Sequence, residues 1–308
     1  MGEGKERAQA RLENLQTIEP LLSSLRVLSL STMQMAMNRQ QTLDEYAARF
    51  NDVADLVSRI IKRDEKVSPQ GEPLNYQKKQ QEQVLAVIGS TRGIVGQYNK
   101  NLSRITKEYR TRHPRENIRI IAFGKRIHPV LRQEGLNFSA RESLSSGSVP
   151  DYDVAAELIR EWDQGFEEGT LTRVSILSYQ RVGEMNNYKA KVTELLPGKA
   201  IRPAKAIDKK DAEEEEEEEL WPVPIVEGDP ELIFEKIESH ITAIKFYRLI
   251  LDSVAAENLF RFRLLEEAKE NTSNLLEELS LEVQANRRKE ITQQLQELLV
   301  GSGMLAQR

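Results

Sequence analysis

Apolar residues recur near the start of the chain at alternating steps of three and four. Starting from Leu15, the steps reach Ile18, Leu22, Leu25, Ser29, Thr32, Ala36, Arg39, Leu43, Tyr46, Phe50, Val53, Val57 and Ile60. Eleven of these fourteen positions are apolar, and residues 12–62 hold no glycine and one proline, Pro20. This heptad seam predicts one long helix that must bury its stripe against another. Pro20 inside a helix would cost about 3 kcal/mol. A kink or restart with Thr17 as N-cap is therefore expected, placing the proline in a first turn.

The partner seam lies at the other end. From Ile237 it runs through Ile241, Ile244, Arg248, Leu251, Ala255, Asn258, Phe262, Leu265, Lys269, Thr272, Leu276, Leu279, Val283 and Asn286, ten of fifteen apolar. Pro230 suits a first helical turn and Gly301 a stop, so a helix over about 230–299 is predicted, roughly 100 Å long. The two matched seams predict antiparallel pairing, with Leu22 facing Leu276 to Val283. The polar intrusions have two readings, register control or stretches that face another protein.

Between the seams the period changes. Residues 84–88, 118–123, 173–179 and 188–196 read as strands. Residues 96–112, 125–134 (interrupted at Pro129) and 153–167 read as helices. Strands alternating with helices predict a small α/β domain with a largely parallel sheet, entered at Pro69, Gly71 and Pro73. Four segments result: a coiled-coil helix over 1–68, an α/β domain over 69–198, an acidic linker over 199–229 and a second coiled-coil helix over 230–308.

Composition narrows the function. Charged residues make up 30% of the 308 and aromatics 6%, which suits long solvated helices better than one large core. No apolar run approaches a membrane span, and the opening MGEGKERAQA does not read as a targeting peptide. Without cysteine there is no disulfide, thiol nucleophile or thiolate metal site, and His113, His128 and His240 lie far from metal-ligand spacing. The net charge of −5 is local: without Asp211 and Glu213 to Glu219, 44 bases face 41 acids. A nucleic-acid binder is not expected. The glutamate run reads as a solvated segment dispensable for folding. Gly89-Ser90-Thr91-Arg92-Gly93-Ile94-Val95-Gly96 follows the first strand, but its spacing matches neither the dinucleotide fingerprint nor a P-loop. It reads as a tight turn. No cofactor and no catalytic constellation is expected.

The order of long helix, α/β insert and long helix resembles the gamma subunit of F-type ATP synthases. Residues 92–101, Arg-Gly-Ile-Val-Gly-Gln-Tyr-Asn-Lys-Asn, are similar to that family's glycine turn. Leu195-Leu196-Pro197 resembles its Leu-Leu-Pro, and Ala256-Glu257-Asn258 its Ser-Glu stretch. Ile291-Thr292-Gln293-Gln294-Leu295 resembles its Ile-Thr-Gln-Glu-Leu. The sequence departs at Pro20 to Leu25, where the family has Lys-Ile-Thr-Lys-Ala-Met. It departs also at Thr32, Thr91 and Val95, where the family has lysine, an acid and cysteine.

The resemblance implies an antiparallel coiled coil with an inserted Rossmann-like domain, acting as a non-catalytic rotor shaft. It implies as partners the alpha and beta subunits of a catalytic head, an epsilon-type subunit and a membrane c-ring, on the cytoplasmic face of the bacterial inner membrane. It places torque contacts at Arg287, Arg288, Thr292 and Gln293. The alternatives are a shaft of a divergent rotary ATPase and a coiled-coil scaffold without a motor role. A nucleotide enzyme built on the insert is disfavoured by the missing fingerprint.

Overall fold

A computed structural model describes residues 2–65, 82–141, 144, 149–183, 187–197 and 227–301. The expected entry at Pro69 to Pro73 and the glutamate run 213–219 lie outside them. In chain order the elements are α1 (Gly2–Glu65), β1 (Glu82–Ile88), α2 (Tyr98–Arg112), β2 (Ile118–Phe123), α3 (His128–Gln133), β3 (Ser139–Arg141), α4 (Tyr152–Glu167), β4 (Leu171–Arg181), β5 (Tyr188–Leu196) and α5 (Pro230–Gly301). The chain divides into two units, Thr32–Asn258 and the pair of segments Met1–Ser31 and Leu259–Arg308.

The first unit is built on one five-stranded sheet in the order β3-β2-β1-β4-β5. β1 pairs parallel with both β2 and β4, β2 parallel with β3, and β4 antiparallel with β5. Val84 to Ile88 are all buried, the continuous apolar run of a central parallel strand. β4 and β5 are near neighbours in sequence, so a hairpin joins them and reverses the last strand. α4 buries Ala155, Leu158, Ile159 and Trp162 on one face, and Trp162 packs on Phe246 of α5 at 5.2 Å between ring centroids. Tyr98 of α2 stacks on Tyr179 of β4 at 4.4 Å.

Two short elements differ from expectation. Pro129 does not interrupt a helix; α3 starts at His128, so the proline falls in the first turn, where its missing N–H is harmless. β3 was not expected, because Ser139, Ala140 and Arg141 are exposed and carry no apolar run. Pairing with Ile121 to Phe123, not hydrophobicity, makes it a strand.

In the same unit α1 and α5 run antiparallel. Asp44 pairs with Arg248 at 2.9 Å, and the Gln40 amide reaches Asp252 at 2.8 Å. Four residues back along α1 are thus four forward along α5. Ala54 and Val57 pack with Ile237 and Ile241, flanked by Phe50, Ile61, Ile233 and Phe234.

The second unit pairs the first part of α1 with α5 beyond Asn258, short of the exposed stretch that starts at Arg287. Arg26 bonds Glu266 and lies 5.8 Å over the Phe262 ring. Counting four from that pair puts Leu22 beside Glu270, short of the expected 276–283 window. The expected restart at Thr17 is absent: α1 is helical through Pro20. Thr17 is no N-cap, and its hydroxyl donates to the Glu13 carbonyl one turn back at 2.9 Å.

The α1 seam also shifts. Its covered positions step by four then three: Ala8, Leu12, Leu15, Glu19, Leu22, Arg26, Ser29, Met33, Ala36, Gln40, Leu43, Ala47, Phe50, Ala54, Val57 and Ile61 are buried or half-buried. Nine of the fourteen expected positions are buried or half-buried. Ile18, Leu25, Tyr46 and Val53 instead stand 41–47% exposed. Counting apolar residues misplaces the seam because polar Glu19, Arg26 and Gln40 take inner positions. The α5 seam holds at every expected position except Arg248, which is exposed beside Asp44. Ser29 and Thr272 satisfy their hydroxyls on the carbonyls of Leu25 and Ala268, so these intrusions cost little polar burial.

Candidate functional site

The residues expected to touch partners sit on the last four turns of α5. From Arg287 to Val300 every residue is exposed. Arg287, Arg288, Thr292 and Gln293 are thus all accessible. The Thr292 hydroxyl donates to the Arg288 carbonyl at 2.9 Å, and the Gln293 amide reaches Glu297 at 3.3 Å. The structure brings the four together on one short stretch. The apolar side chains there are bare too: Ile291, Leu295, Leu298, Leu299 and Val300, with Leu298 at 69% and Val300 at 67% exposure. Ile291, Leu295 and Leu298 recur at steps of four and three, so they share one helix face.

A second bare stripe was missed in the sequence. Ile18, Leu21, Leu25 and Leu28 of α1 are all exposed, spaced three, four and three apart on one helix face. Its signal was present, since Leu21 and Leu28 lie off the seam traced from Leu15. α1 carries two apolar stripes, one for its partner helix and one left over.

Within the first unit, polar ties fasten the paired helices to α4. The His240 ring of α5 is held at both nitrogens: Tyr46 Oη lies 3.1 Å from Nε2 and Tyr152 Oη 3.0 Å from Nδ1. Phe50 packs against the same ring at 4.4 Å. Burial lowers the His240 pKa, favouring the neutral ring. Burial, with Tyr46 and Asp153 nearby, pushes the Tyr152 phenol up to about 12. Arg39, expected in the seam, donates instead to the Pro150 carbonyl at 3.0 Å and to Tyr247 Oη at 3.4 Å. The Tyr247 bond is the chief cause of its raised pKa. An open cleft of about 510 Å³ lies between these groups, walled by Leu43, Tyr46, Tyr152 and Tyr247.

Further ties follow the same pattern. Ser239 donates to Asp163 at 2.6 Å, joining α5 to α4. Asp252 is buried, receives the Gln40 amide and the Arg181 backbone N–H, and has its pKa raised by burial. These contacts bond and position; they align no nucleophile with a base. Among the described residues no helix is long and apolar enough to cross a membrane, and no group of three or more His, Asp or Glu could hold a metal ion.

A family model described as ATP synthase matches residues 5–305. An ATP synthase gamma chain of Moorella thermoacetica is 24% identical over 96% of both chains. One from Chloroherpeton thalassium is 23% identical over 97% of both. Among solved structures, a chain of the Euglena gracilis mitochondrial ATP synthase, seen with OSCP, F1 and c-ring, aligns with a TM-score of 0.61 at 13% identity, covering 99% of this chain and 95% of that one. A chain from the central stalk and c-ring of the Tetrahymena thermophila mitochondrial enzyme aligns at 0.53 and 16% identity, covering 80% and 99%. At such identities the structural likeness speaks for the fold.

Proposed function

The chain belongs to the ATP synthase gamma-chain family, and from that premise we propose that it works as the rotor shaft coupling ion flow to ATP synthesis or hydrolysis. Its paired helices form the antiparallel coiled coil of the shaft, and its sheet unit is the Rossmann-like foot. The segments 1–68, 69–198, 199–229 and 230–308 are its working parts. Partners are the alpha and beta subunits of the catalytic head, an epsilon-type subunit and the membrane c-ring. The complex sits at the cytoplasmic face of the bacterial inner membrane, and this subunit itself catalyses nothing.

The observation that carries the reading is the bare end of α5. Fourteen consecutive exposed residues hold five large apolar side chains together with Arg287, Arg288 and Lys289. None of the described residues covers this helix end, which leaves it open to other chains. A head that encloses it reads its faces in turn, and unequal faces shift the nucleotide preference of each catalytic subunit by differential contact energy. Arg287, Arg288, Thr292 and Gln293 make the torque contacts. Arginine suits them because its planar fork binds and releases carboxylates with geometry.

The test is reconstitution with the alpha and beta subunits of a bacterial ATP synthase. The full chain co-elutes with the head and supports ATP hydrolysis. A chain ending at Asn286 loses that coupling while remaining folded. Full activity from the truncated chain would remove the α5 end from the mechanism.

A further inference from the structure

The β1–α2 turn holds an arrangement that the shaft role leaves unused. It follows the central strand, at the edge where a parallel sheet presents the C-terminal ends of its strands. The order β3-β2-β1-β4 places the chain's change of direction between β1 and β4, so this turn lies at the topological switch point. Open α/β sheets take ligands there, and phosphates above all.

The turn is built firmly. Ser90 N–H donates to the Asn99 side chain at 3.0 Å, and Asn99 returns its amide to Ser90 Oγ at 2.8 Å. Arg126 N–H donates to the Ser90 carbonyl at 3.1 Å. A Cβ at Gly89 would fall 2.4 Å from Ile127 Cβ, and one at Gly124, φ +94°, would fall 2.5 Å from the Gly89 carbonyl oxygen. Only glycine fits either place. Ile94 adopts φ +60°, rare for a β-branched residue, and shows how far the following backbone is bent.

Two successive backbone N–H groups point out of this frame, those of Thr91 and Arg92. Both are met by one carboxylate: Glu257 Oε2 lies 3.4 Å from Thr91 N and Oε1 3.4 Å from Arg92 N. Successive N–H groups aimed at one anion form a nest. The Arg92 and Arg126 side chains are exposed beside it, and the Arg126 guanidinium comes within 4.0 Å of where a Gly93 Cβ would stand. Nearby, Tyr98 Oη donates to the Ser253 carbonyl of α5 at 3.3 Å, fixing the helix one turn before Glu257.

We propose that the β1–α2 turn is an oxyanion-binding nest and that Glu257 is its built-in occupant, a carboxylate from α5 seated where a phosphate would otherwise bind. The contact closes the nest to outside anions and pins the sheet to the shaft helix. At 3.4 Å the two bonds are long, and with Glu257 removed the same two N–H groups are open to an inorganic anion.

Hydrogen exchange of the full chain, read by mass spectrometry on the peptide covering residues 89–97, tests this with inorganic phosphate as the probe. In the wild type that peptide is protected and millimolar phosphate changes nothing. In Glu257→Ala its exchange rises by on the order of tenfold, and phosphate restores protection saturably. Equal exchange in both proteins, or faster exchange without rescue by phosphate, overturns the proposal. Should Glu257→Ala not fold, Glu257→Gln serves: it keeps the shape without the charge, so exchange still rises and phosphate still slows it. A Gln variant that matches the wild type would equally overturn the nest.

Discussion

Gln40 of α1 donates its side-chain amide to the buried carboxylate of Asp252 on α5 at 2.8 Å. The same carboxylate accepts the backbone N–H of Arg181 at the end of β4, so one charged group joins both long helices to the sheet. Burial raises its pKa, and the two hydrogen bonds work against that rise. A carboxyl held above its unfolded value binds its proton more tightly in the folded chain. Its contribution is therefore complete below the unfolded pKa and is lost as pH rises through the folded one.

Gln40→Ala removes a donor to the ionised form and lifts that pKa further. The variant loses about 1–3 kcal/mol at neutral pH. Its deficit shrinks as the solution is acidified toward the ordinary aspartate range, where the carboxyl is neutral in both proteins. Urea denaturation of both proteins at several pH values measures this, and a deficit independent of pH would argue against a charged Asp252.

His240 gives the opposite slope. Its pKa is lowered by burial, and both ring nitrogens are engaged by Tyr46 and Tyr152. The unfolded chain then takes up the proton first, so stability is lost as pH falls below the ordinary histidine value of 6.5. His240→Gln removes this contribution. Between pH 7.5 and 5.5 the melting temperature of the wild type falls more than that of the variant; parallel curves would rule the residue out as the cause.

The helix register is open to cross-linking, because the chain has no cysteine of its own. The Arg26–Glu266 pair puts Leu22 beside Glu270. A Leu22→Cys, Glu270→Cys protein oxidises to an intramolecular disulfide readily, whereas Leu22→Cys with Leu279→Cys reacts slowly. The reverse order of rates would mean a register shifted by about two and a half turns.

Arg287→Ala and Arg288→Ala test the torque contact. Both side chains are exposed, so neither change moves the melting temperature of the isolated chain by more than about 0.5 kcal/mol in equivalent stability. In the assembled ATPase, losing one charged hydrogen bond of about 1.5 kcal/mol lowers turnover on the order of tenfold. Unchanged turnover in both variants leaves the shaft to act through shape alone.

Much of this fold was legible in the sequence, and the exceptions have physical causes. The apolar run at Val84 to Ile88 and the alternation at Tyr188 to Leu196 mark strands because burial dictates them. β3 escaped because an exposed three-residue edge strand is fixed by its neighbour and leaves no trace in its own residues. The α5 seam was traced correctly since one stripe dominates that part of the helix. α1 misled because two apolar stripes share it, and Glu19, Arg26 and Gln40 stand on the inner one. The His240 tie joins residues 46, 152 and 240, a convergence no spacing rule could supply. The torque contacts at the α5 end come from the resemblance alone; what the structure adds is that the residues there, leucines included, are exposed.

Those leucines also set a condition on supply. Made in excess over its assembly partners, the chain offers the stripe at Ile291 to Val300 to other copies of itself. Self-association grows with the square of the free chain's concentration, whereas capture by a partner grows only linearly with it. A cell that releases the shaft slowly, beside subunits already waiting, favours capture; a burst of unmatched synthesis favours clumping. Balanced production is thus written into four turns of uncovered helix.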